Sequence, residues 1–185
     1  VCFDTGGLNL KPTSGMATMK KDMGGAAHVL ALAKMIMSLE VPIKLRVIIP
    51  AVENSISGQA YRPGDIVTTR NGTTVEITNT DAEGRMVLAD ALSYAQEQPV
   101  DWIIDIATLT GAARVALGTD LPGFFSNEQK VIDLLMLSGN EADDPIWPLP
   151  LHHDYKKLTV SPIADLKNAA SGGYGGAITA ALFLD

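Results

Sequence analysis

The sequence predicts an α/β domain with helices on both faces of a mixed sheet. Three observations predict it. Residues 41–52 and 100–107 are apolar runs of strand length, rich in Val and Ile. Residues 20–40 and 86–98 carry helical patterns. The two kinds of segment alternate along the chain, the order expected of a sheet flanked by helices.

Residues 1–3 read as the end of a buried strand. Asp4 follows at its carboxyl end, where open α/β sheets place their sites. Gly6 and Gly7 permit a tight turn and close approach of backbone to a ligand. Lys11 sits in the loop just before Pro12. The helix within 20–40 is apolar on almost every face from Ala26 to Met37, which predicts burial between layers. Asp22 stands at its start, where an N-cap is the ordinary role, and Met19 and His28 read as packing residues. Residues 41–52 form the next strand, with Leu45, Val47, Ile48 and Ile49 as its core, and 53–64 read as a polar loop.

Residues 68–77 alternate polar and β-branched side chains around Asn71-Gly72, the pattern of a hairpin. A helix over 86–98 follows, with Leu88, Leu92 and Ala95 on one face. Residues 100–107 suit a central strand; Asp101 marks its entry and Asp105 interrupts it. Thr108 to Gly111 lead into a short helix. Residues 124–126 read as a short strand, 131–137 as a helix and 141–150 as an acidic, proline-rich connector. His152 and His153 are adjacent, so they cannot share one face of a helix or strand, and they read as a surface pair rather than a metal site. The glycines of 171–176 lack the spacing of a nucleotide cradle, and a helix begins at Ala177.

Composition narrows the function. The 185 residues suffice for one domain with a sizeable core, and the net charge of −7 argues against a general nucleic-acid surface. A single cysteine, Cys2, excludes an internal disulfide and suits a reducing compartment. No apolar run is long enough to span a bilayer as a helix.

The chemistry concentrates at Asn79-Thr80-Asp81-Ala82-Glu83-Gly84-Arg85, between the hairpin and the helix. A capping box, Thr80 with Glu83, accounts for two of these residues. It does not account for Asp81 or Arg85. Nor does it account for the acidic, glycine-rich region at the chain start: Phe3-Asp4-Thr5-Gly6-Gly7, then Lys11, then Asp22-Met23-Gly24-Gly25-Ala26-Ala27. Brought together, Asp4, Asp22, Asp81 and Glu83 would repel one another and some would take up protons. Divalent cations remove that conflict.

These runs, with Ala107-Thr108-Leu109-Thr110-Gly111-Ala112, resemble the leucine aminopeptidase family, the dinuclear-metal cytosolic exopeptidases of the M17 class. The order and spacing agree over nearly the whole chain. The resemblance implies a three-layer α/β/α catalytic domain. It implies that Asp4, Asp22, Asp81 and Glu83 ligate two divalent ions, zinc or manganese, with magnesium or cobalt as alternatives. It assigns catalysis to Lys11 and Arg85, bicarbonate binding to Ala82, Gly84 and Arg85, and substrate contacts to Met19, Thr108, Leu109 and Gly111. It also implies peptide substrates whose free α-amine ligates one metal, a cytoplasmic location and a homo-hexamer, with no membrane or nucleic-acid partner. The family carries one more metal ligand, a lysine five residues before the Asp4 position. The chain thus reads as a catalytic domain over 1–185, incomplete at both ends, with little peptidase activity expected of the piece alone. A metal-dependent phosphoesterase and a non-catalytic assembly module are the competing readings.

Overall fold

The computed structural model describes residues 1–185. In chain order the elements are β1 (Phe3–Asp4), α1 (Thr13–Met16), α2 (Gly24–Ser38), β2 (Glu53–Asn54), β3 (Ile66–Thr68), β4 (Thr74–Glu76), α3 (Glu83–Gln96), α4 (Ala112–Leu117), β5 (Gly123–Phe124), α5 (Gln129–Glu141), β6 (Trp147–Pro148), β7 (Leu166–Lys167) and α6 (Gly176–Leu184). Short 3-10 turns lie at Met19–Lys21, Thr80–Ala82 and His153–Thr159. The chain divides into two compact units. The first is Val1–Leu109 with Ser161–Asn168, and the second is Thr110–Val160 with Ala169–Asp185.

In the first unit, alternating β-branched residues produce the expected hairpin. β3 and β4 pair antiparallel, Ile66 opposite Glu76 and Thr68 opposite Thr74, and Gly72 takes a positive φ of 92° in the turn. β7 joins β4 in parallel, so the sheet is mixed. Val75 at its centre and Ile77 just beyond β4 are buried. Asn168, wholly buried, accepts from the backbone N–H of Thr78 (2.8 Å) and Asn79 (3.2 Å) and donates to the carbonyl of Asn79 (2.7 Å). One side chain thereby substitutes for the ladder where β4 ends and fixes the entry to the 79–85 turn.

Two strand expectations need correction. Residues 41–52 and 100–107 form no β ladder. The pairing begins where the first apolar run ends: Cys2 N–H donates to the Val52 carbonyl, and β1 pairs parallel with β2, Phe3 opposite Glu53 and Asp4 opposite Asn54. Residues 53 and 54, expected in a loop, therefore hold the strand pairing. The apolar runs instead line a cleft of about 790 Å³ together with α2 and α3. Apolar composition reports a tendency to leave water; it does not supply the neighbouring strand that a ladder requires.

α2 also departs from expectation. Only Gly25 and Ala33 are buried, and Leu30, Met35 and Met37 are exposed. One face packs and the other is left uncovered by this chain. α3 starts at Glu83, earlier than the hydrophobic pattern indicates, so Glu83 and Arg85 lie in its first turn. No helix is long and apolar enough to cross a membrane.

In the second unit, α6 buries Ala177, Thr179, Ala180, Leu182 and Phe183 and packs on the His153–Thr159 turn and on α4. The short strand expected at 124–126 appears as β5, paired with β6 inside what read as a connector. His152 and His153 are exposed.

The α2 packing is testable. A Cβ on Gly25 would lie 2.0 Å from the Ile106 carbonyl oxygen, whereas one on Gly58 would meet nothing. Gly25→Ala is therefore expected to cost about 1–3 kcal/mol or more in urea unfolding, and Gly58→Ala to stay within about 0.5 kcal/mol. Equal midpoints would show that α2 does not pack as described.

Candidate metal centre

The parallel register of β1 and β2 places Asp4 at a strand end, directly beside Asn54. The chain then turns through Gly6 (φ 88°) and Gly7 (φ 61°), both buried. A Cβ on Gly6 would stand 2.9 Å from an Asp81 carboxylate oxygen, and one on Gly7 would stand 2.9 Å from both Thr80 Oγ1 and Asn54 Oδ1. The glycines thus let this turn press against the start of α3.

Thr80 locks the two together. It is 1% exposed; its hydroxyl donates to the Gly6 carbonyl (2.5 Å) and accepts from Asn9 N–H (2.8 Å). Its own N–H donates to Asn9 Oδ1 (2.8 Å). The capping-box expectation is therefore corrected. The cap of the 79–85 turn is Asn79, whose Oδ1 accepts from Asp81 N–H (2.9 Å), and the Thr80 hydroxyl is spent on the glycine turn. Asp22 is not a helix cap either: α2 is capped at Met23, and the Asp22 carboxylate accepts from Thr108 Oγ1 (2.7 Å).

The result is an acidic cluster. One carboxylate oxygen each from Asp4, Asp81 and Glu83 lie within 4.8 Å of one another. Asp22 stands outside this tight group, close enough for its charge to act on Asp81 and Glu83. Lys11 enters the cluster: its ammonium donates to Asp4 Oδ2 (2.7 Å) and to Asp81 Oδ1. On the other side, Asn54 Nδ2 reaches Asp4 Oδ1 (2.9 Å), Glu83 Oε2 (3.0 Å) and the Thr80 carbonyl (3.0 Å).

The electrostatics of the cluster follow from its burial and its crowding of like charges. Burial pushes Glu83 up to about 7, with the Asp4 charge adding to it. Asp81 is raised by burial despite its bond to Lys11, and Asp22 by burial despite Thr108. Burial works against the charge on Lys11, but hydrogen bonds and charge from Asp4 and Asp81 outweigh it and its pKa rises. Tyr61, half-buried, is pushed up to about 12 by burial, with the Glu83 and Asp4 charges adding to it. Three carboxyl groups stand against one ammonium, and when all three are ionised the excess negative charge suits a hard divalent ion with oxygen ligands.

Of the other candidate residues, Arg85 is buried in the first turn of α3, where burial lowers its pKa and the Glu83 charge raises it. Ala82 and Gly84 flank Glu83 there, and Leu109 Cδ1 packs 3.3 Å from where a Gly84 Cβ would stand. Met19 opens the 3-10 turn before α2, half-buried. Gly111 belongs to the second unit, at the N-cap of α4. Sequence reasoning missed Asn54, Thr80 and Tyr61. Asn54 carried a signal: it lies just beyond an apolar run, the same strand-end position that singled out Asp4.

All of residues 1–185 match the model of the cytosol aminopeptidase family, catalytic domain. The chain is 49% identical over 184 residues to the cytosol aminopeptidase of Encephalitozoon cuniculi, covering all of this chain and 38% of that protein. It is 52% identical over 184 residues to a probable cytosol aminopeptidase of Pseudomonas fluorescens, covering 37% of it. The crystal structure of a cytosol aminopeptidase from Coxiella burnetii superposes with a TM-score of 0.96 at 56% identity, over all of this chain and 40% of that one. The chain thus spans about two fifths of the length of these proteins.

Thr80 offers a direct check on the site's framework. Thr80→Val keeps the shape and removes the hydroxyl, leaving the carbonyl of buried Gly6 and the Asn9 N–H without this partner. It is expected to cost about 1–3 kcal/mol of stability, while Thr80→Ser retains most of it. Chemical denaturation of the two variants decides; an unaffected Thr80→Val would mean that the glycine turn is not held by this hydroxyl.

Proposed function

The chain belongs to the cytosol aminopeptidase family, and on that premise we propose that it carries the metal-binding and catalytic core of an aminopeptidase that releases N-terminal residues, leucine-like ones preferred, from peptides. The observation that carries this reading is the convergence of Asp4, Asp81 and Glu83 within 4.8 Å around a single lysine. Asp4, Asp81 and Glu83, with Asp22, would hold two divalent ions, zinc or manganese, with magnesium or cobalt as alternatives. Such ions supply a bound water acidic enough to act as nucleophile at neutral pH and a Lewis acid for the carbonyl.

The chain's own residues do the rest. Lys11 is kept protonated by Asp4 and Asp81, and its ammonium stabilises negative charge growing on the scissile carbonyl oxygen. Ala82, Gly84 and Arg85, at the N-terminal turn of α3, hold a bicarbonate ion suited to accept a proton, since that end of a helix favours anions. Met19 borders the pocket for the first side chain. Thr108 and Leu109 orient the peptide backbone, and the family resemblance extends these contacts to Gly111. The relatives' names support a cytosolic location. A homo-hexamer is also part of this reading, supported by the exposed apolar face of α2.

Two measurements test it. Calorimetric titration with Mn²⁺ or Zn²⁺ is expected to show binding by the wild-type chain and its loss in an Asp81→Asn/Glu83→Gln variant; equal binding by both would remove the proposed ligands. In an enzyme carrying this domain at the relatives' full length, Lys11→Ala is expected to lower kcat on a leucyl anilide by about 10²–10³ with metal content retained. Full turnover by that variant would end the catalytic role of Lys11, and turnover of a phosphate ester in place of the anilide would replace the peptidase reading.

A further inference from the structure

We propose that Asn54 is a positioning residue of the metal centre, a side chain that sets the spacing of Asp4 and Glu83 without itself ligating the ions. The inference rests on the metal reading above. Lys11 bonds to Asp4 and Asp81; Asn54 is what ties Asp4 to Glu83. Its Nδ2 lies within 3.0 Å of three oxygens, Asp4 Oδ1, Glu83 Oε2 and the Thr80 carbonyl. All three are acceptors, so the amide's orientation follows from chemistry: a flipped amide would set oxygen against oxygen in three contacts. Its Oδ1 faces Gly7, where the missing Cβ makes room for it.

The backbone of Asn54 is equally fixed. Its carbonyl accepts from Thr5 N–H (3.0 Å) and from the Thr5 hydroxyl (2.7 Å), and it sits opposite Asp4 in the parallel register. The amide is therefore tied to β1 through its main chain and to the start of α3 through its side chain. Those two elements supply Asp4 and Glu83, and the 3-10 turn leading into α3 supplies Asp81.

The neutrality of the amide matters as much as its reach. The Lys11 ammonium competes with an incoming cation for carboxylate charge. The Asn54 amide does not, because it donates hydrogen bonds while bringing no net charge. It can hold one oxygen of Asp4 and one of Glu83 in place with or without a metal. An aspartate here would add a further negative charge and remove the donor, and a leucine of similar size would remove the link between Asp4 and Glu83, leaving Asp4 held by Lys11 and the Gly6 N–H alone. Partners that orient ligands in this way typically account for about 10–100-fold in metal affinity.

The experiment uses the 185-residue chain. Mn²⁺ affinity is measured by calorimetry, and the Co²⁺-loaded visible spectrum is recorded as a signature of ligand geometry. Wild type is compared with Asn54→Ala, with the near-isosteric Asn54→Leu in case the alanine variant fails to fold, and with Thr74→Val, which loses hydrogen bonds to Asp165 away from the cluster. The expected result is a Kd weakened by about 10–100-fold and an altered Co²⁺ spectrum in the Asn54 variants, with both unchanged in Thr74→Val. Wild-type binding with unchanged affinity and spectrum in the Asn54 variants would overturn the role of Asn54 and leave the metal reading standing. An equal loss in Thr74→Val would reduce Asn54 to general stability and overturn the proposal. Absence of binding by the wild type would overturn the metal reading, and the positioning role with it.

Discussion

Mutual repulsion among Asp4, Asp81 and Glu83 is the constraint on which the rest of the site depends. Unit charges within 4.8 Å of one another repel by about 3 kcal/mol or more per pair at an effective dielectric of about 20. Three such pairs rival the whole stability of a typical domain, about 5–15 kcal/mol. Without a cation the conflict is relieved in two ways. Lys11 enters with one positive charge, and burial raises the Glu83 pKa to about 7, so this carboxyl takes up a proton near neutral pH. Three carboxylates gathered in one small volume make a set of oxygen donors suited to positive charge.

The local fold is arranged to enforce that proximity. The β1–β2 register brings Asp4 beside Asn54, Gly6 and Gly7 let the following turn approach α3, and the Thr80 hydroxyl binds that turn to the start of the helix. Asn168 fixes the other side, taking over from the ladder at the end of β4 so that Asn79 to Glu83 arrive in one conformation. Each device is a short-range hydrogen bond or a missing Cβ, and together they join segments some seventy residues apart in sequence.

Much of this was legible in the sequence, for identifiable reasons. Asp4, Lys11, Asp81 and Glu83 stood out because acidic and glycine residues clustered at element ends, and their run of types matched a known family. The hairpin was legible because Asn71-Gly72 separates alternating β-branched residues. Thr80 was misread because capping-box spacing is a one-dimensional pattern, and nothing in it tells that the hydroxyl bonds to Gly6 instead. Asn54 was passed over because its stretch read as a polar loop, although it stands just beyond an apolar run, as Asp4 does. The ladder expected of 41–52 and 100–107 failed for the same reason in reverse: hydrophobicity marks a preference for burial, whereas pairing depends on which segments the fold places side by side. α2 shows the limit again: its all-round apolar sequence marks a preference for burial, yet Leu30, Met35 and Met37 stand exposed on it.

The central claim is that Asp4, Asp81 and Glu83 form one cation site. It is tested most directly by anomalous diffraction from crystals of the chain grown with Mn²⁺, with data collected on both sides of the manganese edge. The account predicts an anomalous peak bounded by carboxylate oxygens of all three residues, with the Lys11 ammonium displaced from between Asp4 and Asp81. A manganese peak elsewhere, with Lys11 still seated between those two carboxylates, would contradict it.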